Sequence, residues 1–225
     1  MTALISGAAG NLGAVVTRFF LENGDNVHAA CFSAEEEARL RETFPTTALT
    51  ACISNISTPD GVESWFETAP ECSVVVHLVG GIQAGKPLAE TTESMFDSMI
   101  NLNTRSTFLT LRKAMKCMEK DGGSIITVAA KSALHPEINK SAYAASKAAV
   151  IALTLAAAEE GKPFGIRANC IVPGILRVPA NLSWAENGEE NNWTPPEHAA
   201  HAIYSLATSP GINGAVIPLY GKLPA

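Results

Sequence analysis

Seven short apolar runs punctuate the chain from end to end, at residues 3–6, 27–31, 48–53, 74–78, 124–128, 167–172 and 215–219. Most are continuously apolar and do not alternate with polar residues, the pattern of strands covered on both faces. Between them lie stretches of helical periodicity at 11–23, 34–43, 59–67, 93–119, 143–160 and 196–208. Strand and helix in strict alternation imply right-handed crossovers and a parallel sheet. The expected fold class is α/β, a doubly wound parallel sheet of about seven strands with helices on both faces. The 225 residues, 47% of them hydrophobic, suit a single domain with a core that needs no metal or disulfide.

Charge and cysteine usage narrow the partners. The net charge is −6 and the 16 Lys and Arg are scattered, which argues against nucleic acid. Cys31, Cys52, Cys72, Cys117 and Cys170 lie twenty or more residues apart, giving neither a Cys-x-x-Cys pair nor a disulfide framework. His198 and His201 have no cysteine or carboxylate partner that suggests zinc, so no metal is expected. The chain enters residues 2–7 without a basic leader, and its longest apolar run, 148–158, is too short to cross a bilayer. A cytoplasmic protein without membrane attachment is the expectation.

The first strand runs into Gly7-Ala8-Ala9-Gly10-Asn11-Leu12-Gly13 and directly on into a helix. Glycines three apart let the backbone turn tightly, approach a pyrophosphate and pack helix on strand, with the phosphate at the helix N-terminus. Gly7, Gly10, Asn11, Leu12 and Gly13 are therefore candidate contacts to a dinucleotide. An Asp or Glu at the end of the second strand would bind the ribose hydroxyls of NAD, but Cys31 stands there, followed by Phe32 and Ser33. No Arg or Lys takes that place to attract the extra phosphate of NADP, so either cofactor fits, with a slight lean to NADP. Asn55, after the third strand, is placed to reach an adenine or to make an ordinary turn.

Ser141-Ala142-Tyr143-Ala144-Ala145-Ser146-Lys147 opens a helix, and the i, i+4 spacing puts Tyr143 and Lys147 on one face. A phenol beside an ammonium is biased toward its ionised form and suits acid/base work on a substrate oxygen or nitrogen. Together with the glycine turn, Leu78-Val79-Gly80-Gly81, Asn103, Ile166-Arg167-Ala168-Asn169, Pro173-Gly174 and Gly214-Ala215-Val216, this segment resembles the short-chain dehydrogenase/reductase family over essentially the whole chain. The resemblance implies a Rossmann fold and hydride transfer to or from a nicotinamide, acting on a small carbonyl, imine or quinonoid substrate. It implies Tyr143 as proton donor, Lys147 on the nicotinamide ribose lowering the tyrosine pKa, and Asn103 anchoring a proton-relay water. Val79, Gly80, Pro173, Gly174 and Ile175 carry over as cofactor contacts. The family's usual dimers or tetramers, built through the helices at 93–119 and 143–160, imply a homodimer or homotetramer.

Departures from the family pattern are informative. The serine thirteen residues before the tyrosine, which holds the substrate oxygen, is replaced by Ala130, with Ala129 beside it. His77-Leu78 replaces a common Asn-Asn pair, and Val178 stands where a threonine often touches the cofactor amide. The chain also resembles the dihydropteridine reductase branch in its glycine spacing, in Val79-Gly80-Gly81-Ile82-Gln83-Ala84-Gly85 and in Ala130-Lys131-Ser132-Ala133-Leu134. A quinonoid dihydropterin is already electron-poor and dispenses with the serine. The competing reading is a cofactor-binding sensor without catalysis. Ser132 and His135 read as loop residues near the substrate, 180–192 as a substrate lid, and Thr194-Pro195-Pro196-Glu197 as a capping box.

Overall fold

The computed structural model describes residues 1–186 and 188–222. Its strands are β1 (Thr2–Ser6), β2 (Asn26–Cys31), β3 (Leu49–Ile53), β4 (Val74–His77), β5 (Gly123–Val128), β6 (Ile166–Pro173) and β7 (Val216–Leu219). The helices between them are α1 (Asn11–Glu22), α2 (Ala34–Thr43), α3 (Pro59–Glu67), α4 (Glu93–Met99), α5 (Ser106–Met118), α6 (Lys131–Leu134), α7 (Ser141–Glu160), α8 (Pro179–Leu182) and α9 (Pro196–Thr208). All seven strands are parallel, in the order β3-β2-β1-β4-β5-β6-β7. The doubly wound Rossmann sheet expected from the alternation is what the chain forms. The strand order reverses between β1 and β4, and the crevice beyond their carboxyl ends is the place where such sheets bind ligands.

Because side chains alternate across the sheet, the apolar runs feed two cores. Ile5, Ala29, Val76 and Ile171 pack with Val16 and Phe20 of α1 and Ile203 of α9 on one face. Leu4, Val75, Ile125 and Ala168 pack with Trp65 of α3 and Leu109 and Ala114 of α5 on the other. Arg167 fastens the far edge, donating to the carbonyls of Leu206 (2.9 Å) and Ala207 (2.8 Å) at the end of α9 and of Ile212 (3.0 Å) in the turn beyond it. Helix α7 is long and apolar enough to cross a membrane, yet half of that stretch is buried inside the domain against β6 and α5. It is a core helix.

Three local expectations change. The helix read over 93–119 is two α-helices joined by a π-helical turn, Ile100–Arg105, with Asn103 inside it. The sequence 194–197 is no capping box: α9 starts at Pro196 with Pro195 as its cap and no side-chain cap bond. Thr194 is extended instead, bridging Leu176, and its hydroxyl donates to the Leu219 carbonyl at 2.6 Å. The helix starts one residue too late for Thr194 to be its cap, and the threonine hydroxyl is held instead by the Leu219 carbonyl. The segment over 180–192 holds α8 and a tight turn at Glu189–Asn192, and Trp184 lies 4.9 Å from Trp193; Asn187 falls outside the described residues.

Candidate active site

The glycine turn occupies the β1 side of the crevice. Gly7 has φ +69, and a Cβ on Gly13 would stand 1.9 Å from the Gly7 carbonyl, so strand and helix meet only because Gly13 lacks a side chain. Gly10 caps α1 without a side-chain partner, and no acidic residue lies in the first turn. The N–H groups that open α1, from Asn11 through Gly13, are thus left for an anion, and a dinucleotide pyrophosphate fits. The β4 side is Val79, whose backbone N lies 3.3 Å from where a Gly7 Cβ would be.

Cys31 ends β2 with its thiol turned into the core beside α1, and burial pushes it up to about 12. The residues at the crevice edge are its successors. Phe32 is 69% exposed, and its N–H donates to the Glu36 carboxylate at 2.8 Å. Arg39 reaches from α2 to donate to the Ala9 carbonyl in the glycine turn at 3.0 Å. A cation therefore does stand by the glycine turn, supplied by α2 and not by the end of β2. Asn55 is exposed, and its Oδ1 accepts from Ser57 N at 3.1 Å in a turn ahead of α3.

The other end of the crevice is built on α7. Lys147 is buried, and its Nζ donates to the Val128 carbonyl at 2.9 Å. A Cβ on Gly80 would lie 2.8 Å from both Lys147 Nζ and Asn103 Oδ1, so the glycine after β4 makes room for the ammonium. Asn103 Oδ1 accepts from Gly81 N (2.9 Å), and its Nδ2 donates to Gly81 O (3.0 Å) and Ser146 Oγ (2.9 Å). One side chain thus clamps the loop after β4 to the helix carrying Tyr143 and Lys147. Pro173 ends β6; Gly174 N donates to the Leu219 carbonyl at 2.9 Å, and Ile175 is exposed at the rim.

A family profile for short chain dehydrogenases matches residues 1–189. The chain belongs to the short-chain dehydrogenase/reductase family. It is an NAD(P)-dependent oxidoreductase, with NADP or NAD as its cofactor. A 3beta-hydroxysteroid dehydrogenase of Eggerthella lenta is 29% identical, covering 98% of this chain and 93% of its own. A 3-oxoacyl-[acyl-carrier-protein] reductase of Thermotoga maritima is 28% identical over 98% of this chain and 96% of its own. Among solved structures, ElxO with NADP bound superposes with TM-score 0.90 at 25% identity, covering 98% of this chain and 97% of that one.

Within this dehydrogenase/reductase site the electrostatics depart from the sequence expectation. Burial pushes Tyr143 up to about 12, and the Glu137 carboxylate adds to the rise. Burial brings Lys147 down to about 8. The expected bias of the phenol toward its ionised form is overturned, because the ammonium is spent on Val128 and desolvation outweighs it. Tyr143 stays protonated at neutral pH.

The sequence singles out several further neighbours, but not the contacts they make. His77 is buried between Ser6 Oγ (3.1 Å from Nδ1) and Ser106 Oγ (3.3 Å from Nε2), and burial, with a contribution from Lys147, lowers it to about 3. Ala129 and Ala130 are buried after β5, and no hydroxyl stands at the family's serine position. Ser132, read as a loop residue, is on α6 and only 4% exposed; it donates to Glu137 at 2.7 Å. His135 packs against the Tyr220 ring at 5.8 Å, and Val178 is buried. Spacing carries no signal for these contacts: Ser132 meets Glu137 where the chain leaves α6, while His77 and His135 meet residues far away in the sequence.

Proposed function

We propose that this oxidoreductase reduces a small carbonyl, imine or quinonoid substrate with Tyr143 as the proton donor and NADP as the preferred cofactor. The observation that carries the reading is the placement on α7 of Tyr143 one turn ahead of a buried Lys147 whose Nζ lies beneath Gly80. The nicotinamide cofactor supplies the hydride when bound. Tyr143, protonated throughout the neutral range, passes its proton to the substrate oxygen or nitrogen. Lys147 holds its charge under the loop after β4, where it binds the nicotinamide ribose, and Asn103 fixes that loop against α7. The first-turn N–H groups of α1 bind the pyrophosphate. Arg39 supports NADP, since its guanidinium lies over the glycine turn where a ribose phosphate would be neutralised. Without a serine at Ala130, about 10²–10³ in rate is missing for a plain carbonyl, which favours an electron-poor substrate.

The chain is further proposed to act as a homodimer or homotetramer. Phe96 on α4, Phe108 on α5 and Leu155 on α7 are 45%, 46% and 38% exposed, apolar surface of the kind helices bury between subunits. Its free thiols suit the reducing cytoplasm. The test is fluorescence titration with NADPH and NADH, followed by absorbance of the reduced cofactor with carbonyls, cyclic imines and quinonoid dihydropterin. Tighter NADPH binding and cofactor oxidation are expected; binding without oxidation by any substrate contradicts the reading.

A further inference from the structure

The loop between α6 and α7 is more tightly built than a solvent loop needs to be. Glu137 accepts from the buried Ser132 at 2.7 Å and from Lys140 at 3.0 Å, both on Oε2. Asn139 holds φ 61, the one left-handed non-glycine among the described residues. Its carbonyl accepts from Gly85 N at 2.9 Å, which ties the loop to the segment after β4 across the mouth of the site. These contacts fix the Glu137 carboxylate six residues ahead of Tyr143, leaving Oε1 without a protein hydrogen bond among the described residues.

We propose that Glu137 determines substrate class: its free carboxylate oxygen receives a cationic nitrogen, so that the site takes a protonated C=N compound in preference to a ketone. The inference rests on the oxidoreductase reading above and deepens it. A ketone gains negative charge on oxygen as hydride arrives, and here it meets Ala129 and Ala130 instead of a second donor, with an anion nearby. A protonated imine needs no polarising donor. Its carbon takes the hydride of the reduced nicotinamide, the C=N π pair becomes the nitrogen lone pair, and the cofactor is left oxidised. As that lone pair forms it takes the proton of Tyr143, so the hydroxyl acts in the hydride step itself, and Tyr143 is reprotonated from water. Protonation of the amine leaves an ammonium product, so the substrate nitrogen carries positive charge before and after reduction. The carboxylate also raises the fraction of imine that is protonated.

The charges facing Glu137 are two lysines, which the incoming cation must share the carboxylate with. Lys140 is a partner on the solvent side, and Lys131 stands 5.8 Å over the Tyr220 ring. The Ser132 hydrogen bond first, then Lys140 and Lys131, hold Glu137 below its ordinary carboxylate value, and its charge adds to the rise of Tyr143.

The experiment compares wild type with Glu137→Gln, which keeps the size and an acceptor for Ser132. Substrates are 2-methyl-1-pyrroline and cyclopentanone; binding of pyrrolidinium to the complex with oxidised cofactor is followed by calorimetry. The wild type is expected to prefer the imine. In the variant kcat/KM for the imine falls about 10- to 100-fold, chiefly through KM, at least tenfold more than for the ketone, and pyrrolidinium binding weakens by about tenfold or more. Preference for the ketone, or equal losses on both substrates, overturns the proposal and leaves the oxidoreductase reading standing. Failure of every substrate to oxidise the cofactor defeats that reading instead; unchanged pyrrolidinium affinity in the variant then still decides against Glu137.

Discussion

The ammonium of Lys147 is buried, with the Val128 carbonyl as its hydrogen-bond partner, and its pKa is brought down to about 8. Replacing a buried charge by an apolar side chain of similar volume often stabilises a fold by about 1–4 kcal/mol. Lys147→Met is therefore expected to raise Tm at pH 7 by about 3–10 °C while eliminating turnover. The pH dependence has a definite sign. Between about 8 and the unfolded value of 10.5 the unfolded lysine holds a proton that the folded one has lost, so wild-type stability gains on the variant as pH rises. Thermal melts of both proteins from pH 7 to 10.5 check this, with the gap narrowing across that window. Lysine and tyrosine at i, i+4 were legible as a pair in the sequence; their protonation was not. It depends on burial and on which way Lys147 turns, and neither is encoded in spacing. Glu137, the charge that bears on Tyr143, likewise carries no motif.

At the scale of elements, the catalytic helix is set by a device the periodicity conceals. A π turn shares the helical pattern of its neighbours, so residues 93–119 read as a single helix although Asn103 sits in a widened turn. His77 at the end of β4 braces that turn: it bridges Ser6 of β1 and Ser106 of α5, and Ser106 Oγ donates to the Leu102 carbonyl at 2.5 Å. His77→Asn loses part of this bridge and is expected to cost about 1–3 kcal/mol at pH 7. Wild-type His77 stays neutral down to about 3, whereas the unfolded histidine takes a proton near 6.5, so stability falls as pH drops through that interval. Burial lowers His28 in the same direction. Urea unfolding at pH 7, 6, 5 and 4 should show a shallower acid loss for His77→Asn than for wild type. Equal slopes would mean that His77 does not titrate this way.

For the whole molecule, the alternation of strand and helix made the parallel sheet legible in the sequence, because the inner strands are covered on both faces and had to be largely apolar. Local choices at element ends were less legible. Thr194 resembles a cap yet forms an isolated bridge to Leu176, just past β6, and is held by Leu219 of β7, some twenty residues further on. Assembly is argued at this scale too: Phe108→Glu, placing a charge on the exposed face of α5, is expected to lower the mass seen by light scattering to that of the 23.6 kDa chain. An unchanged mass would remove that face from any interface. The central claim is that a protonated Tyr143 serves hydride transfer on a cofactor held by the glycine turn and Lys147. The most direct measurement is Tyr143→Phe beside wild type, with turnover and NADPH affinity determined on the same preparations. The account predicts a fall in turnover of about 10²–10⁴-fold with NADPH affinity nearly unchanged; turnover that survives the loss of the hydroxyl would contradict it.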